Sequence, residues 1–229
     1  MTIRIVEMAG AQGCGKSTIA RSLATSGFHV VSPSKQLETG NVNGWLYLGR
    51  GLGILGSAIL EAARKPHMAW HLTRYWSAAG LGWERTRQML RLACWVHRLG
   101  KLRASADKTT ILEEGIVHLI ADVAAPENRN PNPARLIASA LPGRVDALVY
   151  VRCDAEVAFS RMRNRQPTGG RIDHWPDELA LAAHWQATTL ISQGVKAALG
   201  SGITVFEVDA TETAPDENAR LIAKWLEVS

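Results

Sequence analysis

"GAQGCGKST", Gly10–Thr18, follows the apolar run "IRIVEMA", Ile3–Ala9, and precedes "IARSLA", Ile19–Ala24. Gly10, four intervening residues, Gly15, Lys16 and Ser17 form the phosphate-loop (Walker A) pattern. The pattern has a physical reason. Glycines let the backbone turn tightly and approach a ligand without a Cβ in the way. Successive amide N–H groups then point inward as an anion nest, and the helix that follows adds unpaired N–H groups and a partial positive charge. An apolar strand before the loop and an Ile19, Ala20, Leu23 helix face after it supply the expected strand–loop–helix context. Gly10, Gln12, Gly13, Cys14, Gly15, Lys16, Ser17 and Thr18 are therefore predicted to bind a nucleotide triphosphate. Lys16 is to reach the β- and γ-phosphates, and the Ser17 hydroxyl is to ligate Mg²⁺. ATP and Mg²⁺ are the expected cofactors.

Working outward, strands and helices alternate along the 229 residues. That alternation predicts an α/β fold: a three-layer P-loop NTPase sandwich with a five-stranded parallel sheet. The expected strands are Ile3–Ala9, Phe28–Ser32, Thr109–Glu113, Val145–Val151 and Ile203–Val208. Long helices are expected over Lys16–Thr25, Ala155–Asn164, Asp177–Leu199 and Pro215–Glu227. The whole chain, 1–229, reads as one domain, with no internal repeat or linker. The start "MTIRIVEM" lacks a signal-peptide apolar region, and Leu179–Val195, though uncharged, is too rich in Gln, Thr and Ser to span a bilayer. No membrane association is expected. Three widely spaced cysteines, Cys14, Cys94 and Cys153, suggest a reducing compartment, the cytoplasm by default.

Residues 33–108 are too long for a simple crossover and are predicted to form a helical insertion on the sheet. Ile54, Leu55, Ala58, Ile59 and Ala62 mark one helix face; Met68, Leu72, Tyr75, Trp76 and Ala79 a second; Met89, Leu92, Ala93, Val96 and Leu99 a third. Between Glu61 and Arg103, nine Arg and Lys face only two Glu, so this stretch is more basic than the whole chain at +5. Such a local excess can focus an anionic small-molecule acceptor. An arginine-rich solvated face over a tryptophan-filled core, with Trp70, Trp76, Trp83 and Trp95, is the alternative. Spacing is helical and no nucleic-acid-binding module is present, so nucleic acid is not expected as a partner.

Two further constellations complete the site. "TTILEEGIVH", Thr109–His118, places Glu113 and Glu114 at the carboxyl end of a strand, where open α/β sheets bind ligands. One of them, Glu114 by preference, is expected to hold Mg²⁺ through water or to take a proton from an attacking hydroxyl. A helix-start acidic pair is the alternative. "FSRMRNRQPTGGRIDHW" sets Arg161 and Arg165 on one helix face, followed by a breaker-rich loop and Arg171. Arginines so arranged can close over a triphosphate, stabilise developing charge and exclude water. Residues 165–176 are the expected lid.

In this order of parts the chain resembles the nucleoside monophosphate kinase superfamily, and within it the thymidylate kinase-like group. "SRMRNRQPTGGRID" is similar to that group's arginine–lid stretch, with Arg161, Arg165 and Arg171 on its arginines and Asp173 on an acidic position. The resemblance implies an ATP-dependent small-molecule kinase. Its catalytic residues would be Lys16, Glu114, Glu113, Arg165 and Arg171, with Arg161 beside the bound nucleotide. Gly115 stands where the group carries an arginine after the carboxylate, and the insertion matches none of its motifs. The acceptor thus stays open between a nucleoside monophosphate or similar anion and an alcohol on a nucleoside, sugar or antibiotic. A nucleotide switch is disfavoured, because no Asn-Lys-x-Asp signature occurs. A homodimer is left open.

Cys14 carries a separate expectation. Surrounded by amide N–H groups, a helix N-terminus and the Lys16 ammonium, it would be the most reactive thiol and protected by Mg-ATP. The alternative is a small residue whose sulfur points into the protein.

Overall fold

The computed structural model describes residues 3–32, 56, 66, 70, 92, 95, 96, 99, 102–103, 107–124, 133–165 and 176–229. The elements run β1 (Ile5–Ala9), α1 (Lys16–Thr25), β2 (His29–Val31), β3 (Thr110–Leu112), α2 (Ile116–Ala124), α3 (Pro133–Ala140), β4 (Ala147–Arg152), α4 (Ala155–Asn164), α5 (Asp177–Gly200), β5 (Thr204–Asp209) and α6 (Pro215–Val228). The five strands form one parallel sheet in the order β2-β3-β1-β4-β5, as the alternation predicts.

β1 lies at the centre and is buried along its length. Its alternate residues face two apolar layers. Ile5 and Ala9 join Leu112, Ile116, Val117, Leu136, Ile137 and Ile191 on the side of α2, α3 and α5. Val6 and Met8 join Ile19, Leu23, Val149, Ala219 and Ile222 on the side of α1 and α6. Helices on both faces of a parallel sheet are what buried-on-both-sides strands require. Glu7 falls in the first layer and is 0% exposed, a carboxylate among hydrocarbon.

Of the third expected helix face, Leu92, Val96 and Leu99 are among the described residues. Leu92, Val96 and Leu99 are helical and at most 1% exposed, and with Trp95 they join the core layer on the α2/α5 side. Gly56, Pro66 and Trp70 are helical and exposed. Every residue of the first two expected faces, Met89 and Ala93 of the third, and the Arg and Lys residues of the basic stretch apart from Arg103 lie outside the described residues. One member of the basic stretch has a structural use. Arg103 Nη1 pairs with Asp146 Oδ1 at 2.5 Å, and Asp146 Oδ2 accepts the amides of Arg4 and Ile5 at 3.0 Å each. This cluster sits at the amino ends of β1 and β4, at the edge of the sheet opposite the phosphate loop.

Candidate functional site

The loop between β1 and α1 emerges at the carboxyl edge of the sheet. Gly13 has φ 80°, and a Cβ there would run into the carbonyl oxygen of Ala158 on α4, so only glycine permits this close approach. Gly15 is the N-cap of α1 in the left-handed conformation; no side chain caps the helix, and its first turn holds no acidic residue. The first-turn amides of such a helix are left for an anion. A Cβ built on Gly15 meets nothing within 4 Å, so the cradle is open above it. Lys16 is 6% exposed, and its ammonium donates to the carbonyls of Gly10 at 2.6 Å and Ala11 at 2.8 Å, with Cys14 Sγ at 3.8 Å. Ser17 and Thr18 are exposed at the mouth, while Gln12 is half-buried. A hydroxyl at the helix start, facing solvent beside a buried ammonium, fits a magnesium ion that takes its other ligands from phosphate and water.

Cys14 is 0% exposed and packs into the core layer with Val151 and Ala158. This corrects the expectation of a reactive, nucleotide-covered thiol: the sulfur points into the protein, and only the Cys14 backbone belongs to the cradle. Cys153 is 8% exposed, and Cys94 lies outside the described residues. Alkylation of the native protein is therefore expected to leave Cys14 unlabelled until denaturant is added, with or without Mg-ATP. Rapid native labelling of Cys14, located by peptide mass and slowed by Mg-ATP, would restore the earlier expectation.

Glu113 and Glu114 follow β3 and are both half-buried. The Glu113 amide donates to Val31 of β2 at 3.0 Å, continuing the sheet by one residue. Glu114 Oε1 lies 3.6 Å from His118 Nε2, one turn into α2. Arg161 donates through Nη1 to the carbonyl of Ala210 at 2.8 Å and through Nη2 to that of Thr211 at 3.5 Å, fastening α4 to the loop after β5. Arg165 is exposed just beyond α4. Arg171 and Asp173 lie outside the described residues, as does 166–175 of the expected lid. The two ends of that lid are tied together, because Arg163 Nη2 pairs with Asp177 Oδ1 at 2.9 Å while its guanidinium lies 5.3 Å from the Phe159 ring centre.

Two residues at the site were not expected from sequence. His184, on α5, is 1% exposed with its ring 5.8 Å from that of Phe159. Burial, then the charge of Lys16, lower its pKa against the backbone of Ala155, which favours the neutral imidazole behind the loop. A lone histidine in a helix gives no sequence signal for this. The other is Glu7. Its Oε1 accepts the Val117 amide at 2.7 Å at the start of α2, and Oε2 has no hydrogen-bond partner among the described residues. Burial pushes its carboxyl up from 4.5 to about 7, against the amides of Val117 and Ile116, which favour the charged form.

The fold binds the Glu7 proton more tightly than the unfolded chain, so the contribution is full below about pH 4.5 and is lost as pH rises to about 7. Its size is about 3 kcal/mol. Wild type is expected to lose stability over that window relative to Glu7→Gln, with nearby Glu114 and His118 common to both proteins. Parallel denaturation midpoints from pH 5 to 8 would contradict this.

The chain has the fold of deoxyadenosine kinase structures from M. mycoides. One, with the products dCMP and a flexible dCDP bound, superposes with a TM-score of 0.56 at 14% identity, covering 98% of this chain and 100% of that one. A second, with dATP bound, gives 0.57 at 13% identity over 98% and 99%. A third, with dCTP bound, gives 0.51 at 13% identity over 98% and 100%. No family model and no curated protein matches the sequence. The likeness is thus one of fold. Among the described residues, no helix is long and apolar enough to cross a membrane.

Proposed function

We propose that the protein is an ATP-dependent phosphotransferase acting on a hydroxyl of a nucleoside-like small molecule. The observation that carries this is the pairing of an uncapped phosphate loop with two half-buried carboxylates at the carboxyl end of β3, one strand away. In this reading the loop amides and Lys16 would hold the β- and γ-phosphates. Ser17 would hold Mg²⁺, and Glu114 would take the proton of the attacking hydroxyl, with Glu113 beside it. Arg165 and Arg171 would supply positive charge to the transferring group, and Arg161, fastened to the loop after β5, would stand beside the nucleotide. Bound Mg-ATP would supply the γ-phosphoryl group.

The choice of a hydroxyl acceptor over an anionic one rests on the carboxylate edge. A phosphate acceptor needs cations where this chain has Glu113, Glu114 and Gly115. A Cβ at Gly115 would run into the Glu7 side chain, so an arginine there is sterically incompatible with this packing. The names of the solved structures that share the fold point the same way. The anionic reading keeps the basic run of 61–103 as its support, less Arg103, which is engaged by Asp146.

An acceptor screen tests the proposal. Nucleosides and deoxynucleosides are expected to accelerate ATP consumption, and nucleoside monophosphates are not. Acceleration by monophosphates alone would favour the anionic reading. Consumption independent of every acceptor would favour a nucleotide switch.

A further inference from the structure

Gly115 immediately precedes α2 and has no side chain with which to cap it, and Leu119 N–H donates to its carbonyl at 3.1 Å. The missing cap comes from across the sheet. Glu7, on the central strand, accepts the buried Val117 amide. The same carboxylate occupies the space a side chain at 115 would need, since a Cβ there would meet Glu7 Cδ, with Oε2 at 2.5 Å and Cγ at 2.6 Å. Glu7 and Gly115 are therefore one packing unit, and each residue type explains the other.

Between β3 and α2 lie only Glu113, Glu114 and Gly115. This link is fastened upstream by Glu113 N–H on Val31 of β2 and downstream by Val117 N–H on Glu7 of β1. Within the link, Glu114 faces His118. We propose that Glu7 is a positioning residue: it fixes the start of α2 from the central strand, and so sets where the Glu113 and Glu114 carboxylates stand relative to the phosphate loop. The part of this that concerns catalysis rests on the phosphotransfer reading; the tether itself does not. Nothing in the sequence near Gly115 announces the device, because its acceptor is on a different strand. A carboxylate that touches neither nucleotide nor acceptor would then govern turnover through the backbone it holds.

The test compares Glu7→Gln, which keeps an acceptor oxygen toward Val117, with Glu7→Leu, which removes it at similar volume. In steady-state assays with a deoxynucleoside and Mg-ATP, Glu7→Leu is expected to lower kcat about 10- to 100-fold with the KM for ATP unchanged. Glu7→Gln should recover most of that loss. Hydrogen exchange followed by mass spectrometry should show amides of 113–119 exchanging about tenfold faster in Glu7→Leu, while α1 keeps its protection. Gly115→Ala, which presses on Glu7 from the other side, should produce the same exchange signature. Loss of activity only in proportion to the unfolded fraction, or a Gln variant as impaired as Leu, would overturn the positioning role. If wild type transfers phosphate to no acceptor, the phosphotransfer reading fails and exchange alone decides. Faster exchange confined to 113–119 then upholds the tether, and unchanged exchange removes it.

Discussion

Lys16→Ala is expected to reduce phosphoryl transfer by about 10²–10³-fold or more, the usual consequence of losing one preorganised donor to developing charge. The side chain is buried against the carbonyls of Gly10 and Ala11, so its ammonium sits inside the turn of the loop. Those two carbonyls lose a charged donor in the variant. The sheet and α1 do not depend on it, because Ile19, Ala20 and Leu23 seat the helix in the core. The variant should therefore melt as one cooperative unit and fail in turnover. Circular dichroism beside a coupled ADP assay separates the two. Turnover within about threefold of wild type in a folded variant would remove the phosphate loop from the chemistry.

The second large effect is expected at Glu114. If it removes a proton from a hydroxyl, Glu114→Gln should lower kcat by about 10²–10⁴-fold and leave the KM for ATP nearly unchanged. Glu113→Gln should cost less. An anionic acceptor makes the opposite prediction: neutralising a carboxylate beside an incoming phosphate relieves repulsion and leaves the rate unchanged or higher. Steady-state kinetics of both variants with the preferred acceptor therefore reports on acceptor class as well as on the residue.

The legible parts of this fold are those whose cause is local in the chain. α1 and α4 begin and end where the sequence indicates, since the turn glycines of the loop and the Asp154 cap, accepting Glu156 N at 2.9 Å, lie beside the helices they start. The expected strands are each a residue or two off, because pairing partners and not composition set their ends. α2 was foreseen only as the alternative reading of Glu113 and Glu114 as a helix-start pair, and α3 was not foreseen. "IVHLIADVA" is only nine residues long, and its two polar positions, His118 and Asp122, repeat one helical spacing just once, too little to set a period. "PARLIASA" is short, and the proline at its start was its one available signal.

The site divides along the same line. The loop residues were readable because the pattern and the chemistry occupy the same nine positions. Glu7 was not, because a single carboxylate in a strand looks like ordinary alternation, and its meaning comes from Val117 and Gly115, brought to it by the β1–β3 pairing. Arg103 shows the converse. In sequence it adds one more charge to a basic run, and Asp146, which holds it, lies on the far side of β3 and α3 in the chain. Charge counts locate an excess but do not say which of its members are already paired.

The most direct test of the phosphotransfer account follows the γ-phosphoryl group itself. γ-Labelled ATP, Mg²⁺ and a mixture of deoxynucleosides are incubated with wild type and with Lys16→Ala, and the products are separated by charge. The account predicts label in a deoxynucleoside monophosphate, formed in step with ADP by wild type and absent with the variant. Label recovered only as inorganic phosphate, at a rate that no deoxynucleoside changes, would contradict it.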